Sequence, residues 1–588
     1  MNGQSVRIIP RTEGTDFLQH RSSAGSGWDG KCGYRLPVVR EAGPGCRRFS
    51  PAGREHLKQA LDQHFLGAGL GCMMTFKQVS TGSAYRYYLR QVAVGDGRRP
   101  RGKNLDQAQE EAGVPPGVWM GKALPAVGLT AGSRVTHRQM ANLFGKGRHP
   151  ASEQIIETRL AAGDTSAKAE RATRLGYRIQ KWSGADLVFR APGSVQIFWA
   201  LGTDAVREVI EAAHTRVIDE VVDQIETGLL IVRRGRDSNP ERAEPGVIAA
   251  RFRHYESRDG QPLLHDHLVL SVKVRRTDGQ WGTLHTRTLL EYTVALSELY
   301  NQRVLEEICT DLNLATTPRY PTPGQRPVME LAGIPEDLID WAATRNKATM
   351  QRLGELVAQY RSRTSQPVTA KIRHRMMARA STDTRPAKKT AHPLPVLRAR
   401  WRDGATARVG QGVVDRLLDL ARTAARTLLA LARPVMDLTA AALDVVATIS
   451  VFHPKQFRHR HLLAEARRYL ARTFHGQPVQ PHTDTAIVAT ALRLYCRDIT
   501  PTARGDQQLL PLAHHSFTTA WEPRQTGAGT AMSAYQQARA EAVTRAAQYR
   551  AQISKERPVA IPQPRLQGRP VHGQRHSSAW YRNRRRRG

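Results

Sequence analysis

The sequence predicts an α+β fold, in which strands and helices interleave up to about residue 345 and helices dominate afterwards. Two observations lead there: the hydrophobic period switches repeatedly between two and 3.6 residues, and Gly-containing turns separate the strand-like runs. Residues 1–72 are rich in Gly, Ser, Arg and Pro and lack a periodic apolar pattern, so they read as a disordered extension. Strand alternation begins at Met74-Thr-Phe-Lys-Gln-Val, and Met73 or Met74 is the expected native start. Within Asp204–Thr227, Val206, Val209, Ile210, Val217, Ile218, Val221 and Val222 recur at helical spacing. Val247–Phe252 and Leu263–Val274 read as strands, the second running into a Thr277-Asp278-Gly279 turn. Thr288–Leu312 resumes the helical period. The domains expected are therefore 73–345, a helical region at 346–500 and a low-order basic tail at 501–588. Gly412–Val451 is typical of the helical part, rich in Ala, Leu, Val and Arg and broken at Pro434.

The chain has 588 residues, and 88 Lys+Arg against 52 Asp+Glu leave a formal charge of +36. Such a charge calls for an acidic partner, either nucleic acid or an anionic membrane. No apolar run is long enough to span a bilayer, and the greasiest stretch, Val435–Phe452, still carries Asp437 and Asp444. The N-terminus lacks the basic-then-apolar pattern of a signal peptide. Nucleic acid in the cytoplasm, without membrane insertion, is the expectation. The five cysteines, Cys32, Cys46, Cys72, Cys309 and Cys496, are scattered and expected to be reduced thiols. The segment Ala551–Gly588 holds ten Lys/Arg against one Glu. It is either a solvated charge run or a DNA contact.

Three histidines lie between Arg251 and Val272. Residues i and i+2 of a strand share a face, so His265 and His267 project side by side, and His254 can return to that face from the preceding strand. Asp266 then points the other way. Neutral imidazoles so placed bind one divalent metal ion. The spacing alone is weak, because a His-x-His is expected about once by chance in a chain of this composition. His459-Arg460-His461 repeats it in a helical stretch, where i and i+2 diverge by about 200°.

The longer pattern His254-x-x-Ser257-Arg258-x-x-x-Pro262-x-Leu264-His265-x-His267 resembles the three-histidine signature of the TrwC/TraA relaxases, within the His-hydrophobic-His (HUH) endonuclease superfamily. Other pieces follow in the family's order. Asp186-Leu-Val-Phe-Arg190-Ala-Pro192-Gly193-Ser194-Val195 is similar to Asp-Leu-Thr-Phe-Ser-x-Pro-Lys-Ser-Val, and Asp278-Gly-Gln-Trp281-Gly-Thr-Leu284 to Asp-Gly-x-Trp-x-x-Leu. Val135-Thr136 and Leu143-Phe144-Gly145-Lys-Gly147-x-His149-Pro150 resemble its Gly-rich spacer. The resemblance covers about 73–345, with weaker similarity to about 475, and implies an antiparallel-sheet HUH relaxase domain.

It also gives meaning to Gly82-Ser-Ala-Tyr85-Arg-Tyr87-Tyr88. Read alone, three tyrosines in four residues more often pack than catalyse. The family's nucleophile follows the first strand, which points to Tyr87 with Tyr88 as neighbour, or to Tyr85 in a Gly-x-x-Tyr-x-Tyr register. The resemblance implies that a divalent ion, Mg or Mn, is held by His254, His265 and His267. It implies that Asp186 hydrogen-bonds one of these histidines, and it leaves open a base role for Asp186 towards the tyrosine. A tyrosine hydroxyl, with a pKa of about 10, is mostly protonated at neutral pH, and a phosphodiester anion repels nucleophiles. Lewis-acid assistance answers both problems. The product would be a 5′-phosphotyrosine and a free 3′-OH.

Two departures from the family stand out. Gly193 replaces a lysine that would be expected to bind phosphate. Leu105-Asp-Gln-Ala-Gln-Glu110 stands where a second tyrosine pair usually precedes Gly-x-x-x-Gly-x-Trp, here Gly113 to Trp119. No Gly-x-x-x-x-Gly-Lys-Ser/Thr phosphate loop occurs, and Gly121-Lys122 is followed by Ala123, so a separate helicase and conjugation accessory proteins are expected partners on single-stranded DNA. Two other readings stay open. A rolling-circle replication initiator shares the chemistry but usually carries its tyrosine after the His-x-His, whereas Tyr87 precedes it by about 180 residues. The other is a degenerate relaxase that only binds DNA.

Overall fold

The computed structural model describes residues 74–93, 115–500 with short interruptions (177–180, 235–238, 322–325, 365, 388–391, 432–434 and 454), and 515–519, 536–545 and 547. The expectations for residues 1–72, Met73, Leu105–Glu110, Pro434 and Ala551–Gly588 fall outside the described residues.

Seven strands come first in chain order: β1 (Met74–Ser80), β2 (Val118–Met120), β3 (Trp182–Arg190), β4 (Ile231–Arg234), β5 (Asn239–Arg242), β6 (Ala249–Glu256) and β7 (Pro262–Ser271). Five of them form an antiparallel sheet in the order β1-β3-β7-β6-β2, and β4 and β5 pair with each other. The fold is α+β, as the alternating periods predict. The long strand expected over Leu263–Val274 is divided. β7 ends at Ser271, and β8 (Lys273–Arg275) pairs with β9 (Trp281–Thr283) across the Asp278-Gly279 turn. Val272 between them turns its N–H to Ser183 O, back to the main sheet, and its carbonyl to Leu284 N, so one apolar run serves two sheets.

The sheet is buried on both faces. One face carries Ala185, Leu187, Phe189, Leu264, Leu268 and Leu270 against the helices Asp204–Gly228 and Thr286–Leu312. The first helix inserts Val206, Ile210, Val217, Ile218, Val221 and Val222, the stripe legible in the sequence. The opposite face carries Val79, Val269, Ala250 and Phe252 beneath the short helix Arg86–Ala93 and the 119–144 segment. There β2 lies close on β6. At Gly121, with φ +110°, a Cβ would stand 2.2 Å from the Val247 carbonyl oxygen, so only glycine fits.

The apolar core does not stop at the compositional change near 345. Leu397 and Trp401 of the Leu394–Val409 helix, and residues of Leu438–Phe452, His459–Phe474 and Thr483–Tyr495, belong to the same core as the sheet. The helical region also holds strand: Phe457–Arg458, Cys496–Asp498 and Ser516–Thr519 make a small sheet. Composition could not reveal this, because strands of two to four residues leave no measurable period. No helix among the described residues is long and apolar enough to cross a membrane.

The Pro192-Gly193-Ser194 turn between β3 and the Gly193–Leu201 helix is a structural joint. Ser194 donates from its N–H and its Oγ to Glu330 Oε2, at 2.7 and 2.6 Å, and its Oγ accepts from Leu331 N at 2.7 Å. A Cβ on Gly193 would lie 2.7 Å from Ile339 Cγ2 and 3.3 Å from Glu330 Oε1. In this chain a side chain at position 193 would meet Ile339 in the core. Gly193→Ala is expected to destabilise the protein by about 1–3 kcal/mol through overpacking. Urea unfolding midpoints at unchanged slope check this, and a wild-type midpoint would contradict it.

Candidate active site

The β6–β7 hairpin brings the histidines together. His254 and His265 are directly opposed across the ladder, and His267 follows two residues on, so all three rise from one face. The ring centroids are 5.0 Å apart for His254–His265, 5.0 Å for His254–His267 and 5.4 Å for His265–His267. One ligating nitrogen from each lies within 4.8 Å of the others, and no other three-residue cluster of this kind occurs among the described residues. The His459/His461 pair does not belong to one. His459 meets the Tyr292 hydroxyl, and His461 stacks on His453.

Hydrogen bonds fix which nitrogens face the cluster. His265 Nδ1 is 2.8 Å from the Leu263 carbonyl, which can only accept, so the proton sits on Nδ1 and Nε2 keeps its lone pair. His267 Nδ1 likewise donates to Asp186, 3.0 and 3.1 Å from the two carboxylate oxygens. Burial, together with neighbouring His267, pushes the His265 pKa down to about 3, so this ring is neutral at ordinary pH. Three imidazoles with Nε2 of His265 and His267 presented to one point are a donor set that fits a divalent ion.

The other face of β7 holds a buried charge cluster that sequence reading only half anticipated. Asp266 points away from the histidines, as alternation requires, and is fully buried. Arg253 Nε donates to it at 3.0 Å, and His214 lies 3.3 Å away. Burial alone would raise the Asp266 pKa, but Arg253 and His214 outweigh it and hold the group far below the carboxylate range. Arg253 also reaches Glu211 and Thr215, and His214 Nδ1 meets the Tyr300 hydroxyl at 2.7 Å. None of these partners has a local motif; each is found only when distant helices pack. Gln196 was missed for the same reason. Its amide binds both the N–H and C=O of Leu264, beside His265, where β3 has ended.

The hairpin turn is fastened from the helical region. Trp401 Nε1 donates to Gly260 O at 2.8 Å, Arg258 Nη1 to Pro386 O at 3.1 Å, and Thr344 Oγ1 to Asp259 Oδ2 at 3.0 Å.

β1 leads through Gly82, with φ +98°, into the helix that bears the tyrosines. The structure separates the three candidates. Tyr85 is buried and packs on His137, its hydroxyl 3.4 Å from Nε2, with its ring against Gly145. Tyr88 is 2% exposed, stacked on Phe252 at 5.9 Å and edge-on to His267 at 5.6 Å. Tyr87 is half-buried, with its ring 6.1 Å from that of His267 and 5.2 Å from that of Tyr88. Lys77 of β1, directly opposite Asp186 in the ladder, holds its Nζ 5.3 Å from the Tyr87 ring centre. Tyr87, Tyr88 and Asp186 thus join the histidines, and Tyr85 does not.

A family model described as TrwC relaxase matches residues 81–408. The multifunctional conjugation protein TraI of Escherichia coli is 28% identical over 213 residues, 34% of this chain and 11% of TraI, and its counterpart in strain K12 is 27% identical over the same shares. The chain thus spans about a tenth of the length of these curated relatives. Among solved structures, the metal-bound conjugative relaxase TrwC in complex with oriT DNA is similar at 22% identity and a TM-score of 0.41, covering 57% of this chain and 98% of that one. Its metal-free form gives 22% identity and a TM-score of 0.39 over the same shares.

Asp186→Ala removes the acceptor that orients His267. It is expected to weaken Mn²⁺ binding by about 10–100-fold while leaving the circular dichroism spectrum unchanged. Calorimetric titration of the two proteins checks this, and equal affinities would show that Asp186 does not orient the cluster.

Proposed function

Because this chain belongs to the TrwC relaxase family, we propose that it cuts one DNA strand at a transfer origin through Tyr87 and stays joined to the new 5′ end. Relaxases are site-specific strand transferases, and the chain is an enzyme of that class. The observation that carries the mechanistic reading is that the tyrosine helix and the three histidines share one face of the sheet, with Tyr87 beside His267.

Tyr87 is preferred over Tyr88 because a nucleophile must be reached by a phosphodiester. The Tyr88 ring is closed in by Phe252 and His267, whereas Tyr87 keeps an open side. The Tyr87 oxygen attacks phosphorus as the bond to the 3′ oxygen breaks. The phenolic proton is lost, the departing 3′ oxygen gains one, and the diester is conserved as a 5′-phosphotyrosine. A divalent ion held by His254, His265 and His267 supplies Lewis-acid stabilisation of phosphate charge when bound. Of Mg and Mn, an all-imidazole donor set favours Mn, since Mg prefers oxygen ligands. Asp186 keeps the His267 proton on Nδ1, leaving Nε2 towards the cluster. The Arg253–Asp266 pair holds the strand beneath it. Single-stranded DNA is the substrate, its strand separation the task of a separate helicase, and delivery the task of conjugation accessory proteins.

Tyr87→Phe keeps the ring and its packing, so the melting temperature should hold while the covalent protein–DNA product disappears. Tyr85→Phe should keep most activity. The readout is a denaturing gel with labelled DNA carrying the transfer origin. If Tyr87→Phe forms the product at the normal rate, Tyr88 becomes the nucleophile.

A further inference from the structure

We propose that Lys77 and Arg190 form a track for the phosphates of single-stranded DNA along the β1–β3 side of the histidine–tyrosine cluster; this rests on the strand-transfer reading. Sheet register puts both on the face that carries the histidines. In antiparallel pairing, directly opposed residues share a face, and Lys77 opposes Asp186 while Arg190 opposes His265. Asp186 and Arg190 are four residues apart on β3, so at ~3.3 Å per residue the two cations are separated by about 13 Å along the strand direction. That is more than one phosphate needs: Arg190 is level with the His254–His265 pair, and Lys77 lies past His267, level with Val269.

Each cation suits its place. Lys77 is exposed, and its ammonium lies over the Tyr87 ring, 5.3 Å from its centre. A lysine acts there as a point charge on a flexible stem. Arg190 is half-buried at the end of β3, close enough for its charge to act on His265. Its planar fork suits a phosphate held in one orientation. Asp186, the carboxylate between them, is engaged by His267 Nδ1. The β3 segment also departs from the pattern it resembles at two charged positions. It lacks a lysine at 193, where Ile339 fills the space, and it gains an arginine at 190, where the side chain faces the site.

The test is the salt dependence of binding to a fluorescein-labelled oligothymidylate, measured by anisotropy in EDTA so that no strand is cut. For single strands the slope of log K against log salt falls by about 0.7 for each phosphate that is no longer neutralised. Lys77→Gln and Arg190→Gln are each expected to lower the slope by about that much, the double variant by about twice as much, and Arg190→Lys to restore most of it. Arg408→Gln, which removes the same charge from the helical region, should leave the slope unchanged. Melting temperatures identify any variant that has merely unfolded, and Arg190→Lys then decides for that position. Unchanged slopes for Lys77→Gln and Arg190→Gln would overturn the track, as would an equal fall for Arg408→Gln. A parallel denaturing gel of the wild-type protein with Mn²⁺ and origin DNA judges the other reading. No covalent product, with slopes that still fall, would remove strand transfer and leave a track for bound single strands.

Discussion

The site depends on the register of β7 against β6. Side chains alternate along a strand, so a slip of one residue would send His265 and His267 into the helical core and turn Asp266 towards the substrate. The buried Arg253–Asp266 pair makes that slip costly. With Asp266 on the core side, Arg253 and His214 satisfy it, and Glu211 of the same helix as His214 braces the arginine. A slip would take Asp266 from His214 and leave the buried Arg253 with Glu211 as its remaining carboxylate. Such an ion pair adds little net stability over apolar packing. What it supplies is a single allowed alignment, and the arrangement of the three histidines inherits it.

The catalytic face is then assembled by layering. Phe252, directly opposite His267 in the ladder, gives Tyr88 a ring to stack on, and Tyr88 in turn gives Tyr87 an edge to lean on. Gly82 and Gly145 close the turn before the helix through a 3.1 Å backbone hydrogen bond. The helix itself is only eight residues long, too short to persist alone, so its position comes from these contacts. The place of the Tyr87 hydroxyl is set by packing that begins in the sheet.

Much of this was readable in the residues. Alternation placed His265 and His267 together and Asp266 apart from them, and the stripe from Val206 to Val222 marked a helix that ends within one residue of its reading. The tyrosines were located as a group but not separated, because sequence spacing says nothing about whether Tyr85 turns to His137 or to His267. Partners fixed by long-range packing, such as Gln196, His214 and Tyr300, carry no local pattern at all. The compositional change near 345 is likewise silent about packing. A change from mixed to helical composition marks a change of architecture, while the core continues through Trp401.

That tryptophan has a consequence for how the molecule comes into being. Its indole holds Gly260, the tip of the hairpin, although 141 positions separate them in the chain. A chain emerging from the ribosome displays the tyrosines and then all three histidines long before the residue that braces their loop has been made. Synthesis runs at about 5–20 residues per second, so the interval is on the order of ten seconds. Through that time the hairpin lacks one of its fastenings. The order in which the gene is read thus delays full bracing of the histidine hairpin until the helix that bears Trp401 is present.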